Sequence, residues 1–145
     1  MVLFGVILIA ALGAAIGYRE IMKRKPLQVT FDQLKANPDE YDGRTIIVEG
    51  FYFHGWEIIV LSEKLEPSGL AEDHLTPKGT MIWVEGGIPP NIHDSLQRQQ
   101  MMGPEERFGK IRIKGECETG GKYGHTGNYG SQIKPTEVEL LQWSP

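Results

Sequence analysis

Two short stretches of this chain concentrate side chains that bind through a ring face or a ring nitrogen. Phe53, His54 and Trp56 flank Gly55, while Tyr123, His125, Asn128 and Tyr129 share a segment punctuated by Gly120, Gly121, Gly124, Gly127 and Gly130. An aromatic face can stack on a sugar, a base or an apolar side chain, and an imidazole changes its hydrogen-bonding role near neutral pH. These seven residues are the candidate ligand-binding set. The competing use of the same residues is structural: rings that staple one end of a small β domain, and glycines that let a loop turn tightly.

Other chemistry is less well provided for. His54, His74, His93 and His125 fall in four separate segments, with no HxxxH or HxH spacing on one element. A zinc site draws on three or four converging ligands. His54 and His125 could approach one another, but no third partner is evident, so no metal site is expected. Glu72-Asp73-His74 and Glu85 are the best acid–base candidates, and Glu72 and Asp73 read as a solvated loop. No GxSxG, no P-loop and no GxGxxG following a strand is present. The single cysteine, Cys117, leaves no partner for an intrachain disulfide and falls on the apolar side of its strand, where an inert core thiol is expected. No catalytic residue and no cofactor are assigned.

The elements that must position the candidates follow from pattern. Thr30-Phe31-Asp32-Gln33 carries the spacing of a capping box and opens a helix that Asn37-Pro38 stops. Thr45 to Phe53 is rich in β-branched and aromatic residues and reads as a first strand; His54-Gly55 reads as a tight reversal into a second, Trp56 to Leu61. A loop containing Pro67, Gly69, Pro77 and Gly79 leads to a third strand, Thr80 to Glu85. Pro89-Pro90 then opens a short helix, expected to end near Met102-Gly103. From Phe108, Ile111, Ile113, Gly115 and Cys117 face one way, and Lys110, Arg112, Lys114, Glu116 and Glu118 the other: a half-buried fourth strand. The glycine-rich loop from 120 to 130 separates it from a fifth, Gln132 to Gln142.

Strand, strand, strand, helix, strand, strand is the element order of the OB-fold, a five-stranded partly open Greek-key barrel. Gly50 and Gly115 fall inside predicted strands, where such a barrel bends. The expected fold is therefore mainly β, an OB-fold-like barrel over residues 30–145 with a helix between strands three and four. In that fold the ligand meets the face of strands two and three, bounded by the loops joining strands 1–2 and 4–5. Those loops are the two stretches that hold the candidates.

The run Leu34-Lys35-Ala36-Asn37-Pro38-Asp39-Glu40-Tyr41-Asp42-Gly43-Arg44, followed by Val48-Glu49-Gly50, resembles the start of small bacterial OB-fold proteins of the tRNA-anticodon-binding-like class. Tyr123 to Tyr129 looks like their strand four to five connection. Many of these proteins are membrane-anchored or lipoproteins. The resemblance spans most of residues 30–143 and implies fold rather than activity. A second likeness, to the haem chaperones of cytochrome c maturation, shares an anchor and an OB domain. Those attach haem through a His in a C-terminal extension, whereas His125 precedes the last predicted strand, so haem attachment is not expected.

Residues 1–18 carry no charged side chain and are apolar on every face. A bilayer core of about 30 Å needs roughly 17–25 such residues, so the expectation is a single transmembrane helix, with Tyr18 at the interface. Gly13 and Gly17 form a GxxxG step, a weak cue for homodimerisation. A cleaved secretory signal is the competing reading, but no Lys or Arg precedes the apolar run. Residues 19–29 form a basic juxtamembrane linker holding Arg19, Lys23, Arg24 and Lys25. Positive charge after the segment favours the following domain on the cytoplasmic face, with the extracytoplasmic face as the alternative. The whole chain carries a net charge of −4, and the domain beyond the linker is more acidic still. Nucleic-acid binders draw affinity from Lys and Arg on phosphates, so that class is disfavoured. The function expected is a non-enzymatic, membrane-tethered module binding a protein partner or a small ligand through the loop rim. Single-stranded nucleic-acid binding by the same face and an enzyme with a dispersed site are the alternatives.

Overall fold

The computed structural model describes residues 25–145. The expected transmembrane segment, the Gly13/Gly17 step and most of the basic linker lie outside the described residues. The rest is mainly β, built on one seven-stranded sheet. In chain order the elements are β1 (Leu27–Gln28), α1 (Phe31–Ala36), a 3-10 turn (Pro38–Tyr41), β2 (Thr45–Gly55), β3 (Ile58–Pro67), β4 (Leu75–Val84), α2 (Pro90–Asp94), β5 (Gln97–Gln99), β6 (Glu106–Tyr123) and β7 (Tyr129–Leu140). The sheet order is β1-β2-β3-β4-β7-β6-β5, with β2 also pairing antiparallel to β6. The β4–β7 pairing is parallel and short, Trp83 against Gln132 and Val84 against Ile133.

Local chemistry explains the first helix. Thr30 Oγ1 accepts from the Gln33 amide at 3.2 Å and Gln33 Oε1 accepts from the Thr30 amide at 2.9 Å, closing the capping box. Proline at 38 forbids continuation, and the chain tightens into the 3-10 turn that seats Tyr41 in the core. Gly50 makes α1 useful: a Cβ there would sit 2.8 Å from the Phe31 ring, so its absence lets Phe31 lie against β2.

Alternation along the strands divides the apolar residues between two faces. Ile46, Val48, Tyr52, Leu61, Ile82, Val84, Ile111, Ile113, Cys117 and Ile133 form the main core, all at or near zero exposure. Each aliphatic side chain so buried contributes about 1.5–3 kcal/mol of transfer free energy before chain entropy is set against it. On the other face, Phe108, Phe53, Val60 and Trp83 stand in one row across β6, β2, β3 and β4. Trp143 covers one end of that row, with ring centroids 5.1 Å from Phe51 and 6.2 Å from Phe108.

Several expected boundaries move. The β2–β3 reversal is Trp56-Glu57 rather than His54-Gly55, with Glu57 at φ 57°, so Trp56 is a turn residue and not the start of a strand. The helix opened by Pro90 stops at Asp94, and Gln97–Gln99 instead pairs with β6 as an edge strand. β6 continues through Gly120-Gly121 to Tyr123, and β7 begins at Tyr129, so only residues 124–128 remain as loop. Leu27–Gln28, expected as linker, pairs parallel with β2. The sheet thus has seven strands where five were expected, the two additions being the short β1 and β5.

Candidate functional site

The two predicted loops converge. His125 Nε2 in the β6–β7 turn lies 3.5 Å from Glu57 Oε1 in the β2–β3 turn. Trp56, beside Glu57, is 70% exposed, and His125 and Asn128 are also open to solvent. The β6–β7 turn holds its shape through Gly127 N–H to the Gly124 carbonyl at 3.2 Å and Asn128 Nδ2 to Thr126 Oγ1 at 2.7 Å. Tyr129 tilts over Trp83 at 5.5 Å between centroids, and Gly124 passes so close that a Cβ would lie 2.7 Å from the Tyr129 ring. Tyr123 donates its hydroxyl to the Thr119 carbonyl at 3.3 Å. Burial pushes the Tyr129 phenol above its ordinary range, so it stays a neutral hydrogen-bonding group through physiological pH.

Two of the seven candidates sit elsewhere. Phe53 is buried in the aromatic row beneath the turns. His54 points to the other side of the sheet, where its Nδ1 lies 3.5 Å from the Tyr52 hydroxyl and its ring meets His93 edge-on at 5.1 Å. His54 and His93 line a cleft of about 280 Å³ with Tyr52, Ile59, Gly86-Gly87 and Ile88. Burial, and secondarily the charge of His93, holds the His54 pKa below the imidazole value of 6.5. Trp83 was not among the candidates, and it is the ring on which the rim rests. Its indole Nε1–H donates to Glu85 Oε2 at 2.9 Å, which also uses one of the expected acid–base groups as a structural acceptor.

A third constellation was not foreseen. Ser68 Oγ lies 2.7 Å from His74 Nδ1, and His74 Nε2 lies 2.8 Å from Glu106 Oε1. An ionised Glu106 carboxylate only accepts, so in the neutral-imidazole tautomer that satisfies both contacts Nε2 donates to Glu106 and Nδ1 accepts the Ser68 hydroxyl. Gln99 Nε2 donates to the same Glu106 oxygen at 3.0 Å and to the Leu75 carbonyl at 2.7 Å, and Gln99 Oε1 accepts the Leu75 amide. Short range signals at these residues were weak, because the partners come from the β3–β4 loop, β5 and the start of β6.

The chain matches no protein-family model, no curated protein and no solved structure. Among the described residues no three His, Cys, Asp or Glu converge as metal ligands, and no helix is long and apolar enough to cross a membrane. The rim offers an exposed indole, a second indole under a tyrosine, an imidazole and a carboxamide. That set suits stacking on a flat or apolar group with a few directional hydrogen bonds at its edge.

Proposed function

We propose that this chain is a membrane-tethered binding module of the OB-fold type, holding a protein partner or a small ligand at the rim where the β2–β3 and β6–β7 turns meet. The observation that carries the reading is the Glu57–His125 contact, which sets the turn holding Trp56 beside the turn holding His125 and Asn128. The barrel is supported by the pairing cycle β2–β3–β4–β7–β6 and back to β2, antiparallel except at β4–β7. The position of α2 before the fourth strand of that cycle supports the reading of a five-stranded OB barrel flanked by β1 and β5. The resemblance of residues 34–50 to the membrane-anchored tRNA-anticodon-binding-like class is a second support for this reading.

The tether is residues 1–18, supported by their uncharged run, and the basic residues behind them favour the cytoplasmic face for the domain. The acidic balance argues for an uncharged or apolar partner group over a polyanion. The test is a chemical-shift survey of the full chain in micelles against a panel of sugars, apolar and aromatic peptides, and a single-stranded oligonucleotide. A ligand whose perturbations centre on Trp56, Asn128 and Tyr129, and vanish in Trp56→Ala, supports the rim. Perturbations that survive that substitution, or centre on the His54–His93 cleft, overturn it.

A further inference from the structure

Ser68, His74 and Glu106 are arranged as nucleophile, base and orienting carboxylate, and we propose that they form an acyl-transfer site that hydrolyses small uncharged esters. The three links needed for such a relay are all present: Ser68 Oγ to His74 Nδ1 at 2.7 Å, His74 Nε2 to Glu106 Oε1 at 2.8 Å, and a further group fixing the carboxylate, Gln99 at 3.0 Å. These distances fall in the range required of a nucleophile–base pair and its orienting partner. The two ring nitrogens are distinct, and the hydrogen bond made by one sets the role of the other, so Nδ1 acts as the base when Nε2 is held as the donor to Glu106.

Exposure is graded as a reaction requires. The His74 and Glu106 side chains are 11% and 23% exposed, which strengthens their mutual attraction, while Ser68 is half-exposed at the mouth of the loop. The Leu70 amide donates to Ser68 Oγ at 3.1 Å and so helps hold the hydroxyl in its orientation toward His74. Beside it, Gly69 sits at φ +76° with nothing within 4 Å of where a Cβ would project, leaving open space on one side of the nucleophile for a substrate. Glu66 at the end of β3 and Glu72 and Asp73 on the loop disfavour an anionic substrate, and exposed Leu70 offers an apolar contact for a short acyl or alkyl group.

The reaction balances with water alone. Ser68 Oγ bonds to the acyl carbon as its proton passes to His74 Nδ1. The acyl–oxygen bond breaks, and the departing alkoxide takes that proton to leave as the alcohol. Water then attacks the acyl-serine, gives a proton to His74, and the acid is released as Ser68 recovers its hydroxyl. Glu106 touches no substrate; it is a positioning residue that keeps Nδ1 free and supports the imidazolium.

A tagged fluorophosphonate tests this on the full chain, since a serine activated by a base loses its proton while displacing fluoride from phosphorus. The expected result is an adduct mapped by peptide mass spectrometry to Ser68 in the wild type and absent in Ser68→Ala. Turnover of a neutral p-nitrophenyl ester should fall at least ~10²-fold in Ser68→Ala. Glu106→Gln should lower kcat with little change in KM, which a purely structural staple would not do. No adduct in folded wild type, or an adduct on another residue, overturns the proposal. Mapping on the wild type decides the matter even if a variant fails to fold.

Discussion

Glu57 Oε1 and His125 Nε2 lie 3.5 Å apart, tying the β2–β3 turn to the β6–β7 turn across the rim. Both side chains are open to solvent, 47% and 64% exposed, so the pair is screened and contributes roughly 0–1 kcal/mol. What it marks is geometric: the turn that carries Trp56 lies beside the turn that carries His125 and Asn128. His125→Ala should therefore leave the thermal midpoint within about 4 °C of the wild type. Its measurable effect is expected on ligand affinity, by titration, and a large loss of thermal stability would show the contact to be structural.

Trp56 separates binding from folding more cleanly still. A residue this exposed adds little to the core, so Trp56→Ala should change stability by no more than about 0.5 kcal/mol in urea denaturation. One stacked ring is worth about 1–3 kcal/mol, so the same substitution should weaken a rim ligand roughly fivefold to 150-fold. Equal affinity in the two proteins would remove the rim as the site.

His54 carries a pH dependence whose sign is determined by its surroundings. Burial, then the charge of His93, holds its folded pKa below 6.5, so the unfolded chain binds a proton there more readily than the folded one. The associated stability is present above pH 6.5 and is lost as the pH falls through the folded value. His93→Gln removes the second cause, so an NMR titration should find the His54 pKa moved upward toward 6.5, and the acid loss of stability should shrink. An unchanged His54 titration would show that His93 exerts no field on it.

Much of the fold was readable where local chemistry decides. The Thr30–Gln33 capping box, the stop at Asn37-Pro38 and the alternation from Ile111 to Cys117 each act within a few residues, and each appears as read. The failures share a cause in tertiary pairing. Gln97–Gln99 is polar and follows a helix-like spacing at Ile92 and Leu96, yet the free edge of β6 recruits it as a strand. Gly120 and Gly121 signal a loop, but β7 opposite carries β6 past them through an irregular register. The same holds for the sites. His125 and Trp56 could be placed near each other from the expected topology, whereas nothing in Glu72-Asp73-His74 announces that His74 turns inward to a carboxylate on β6. The difference is that the rim needs only the element order, while the relay needs the path of one loop.

Gly50 and Gly115 were expected at bends, and their surroundings rank the damage a methyl group would do. At Gly115 the added Cβ would run into the backbone carbonyl of Lys134 on β7, and a backbone cannot step aside without opening the β6–β7 ladder. At Gly50 it would meet the Phe31 ring at 2.8 Å, which can shift, and the Ser62 carbonyl at 2.9 Å, which is held in β3. At Gly109 the nearest atom is Leu96 Cδ2, the end of a flexible side chain. Gly115→Ala should be the most destabilising, on the order of 3 kcal/mol or more, then Gly50→Ala, then Gly109→Ala at about 1 kcal/mol. Urea midpoints in any other order would contradict this account of the bends.

Cys117 gives a test at the alkaline end. Its thiol lies at zero exposure on the inward face of β6, and burial, then the negative charges of Asp42 and Glu118, push its pKa up to about 11. The nucleophilic thiolate is therefore scarce near neutrality and shielded where it forms. A disulfide exchange reagent at pH 8 should leave the folded protein unmodified and react with one thiol per chain once urea unfolds it. Because the folded pKa is the higher, the unfolded chain loses this proton first, and the stability the thiol contributes declines as the pH rises from about 9 toward 11. Tyr52, whose phenol burial also raises above the ordinary value of 10.0, adds to the same decline at higher pH. Cys117→Ala should flatten the first part of that alkaline slope. Rapid modification of the folded protein at pH 8 would show instead that β6 and β7 part often enough to expose the thiol.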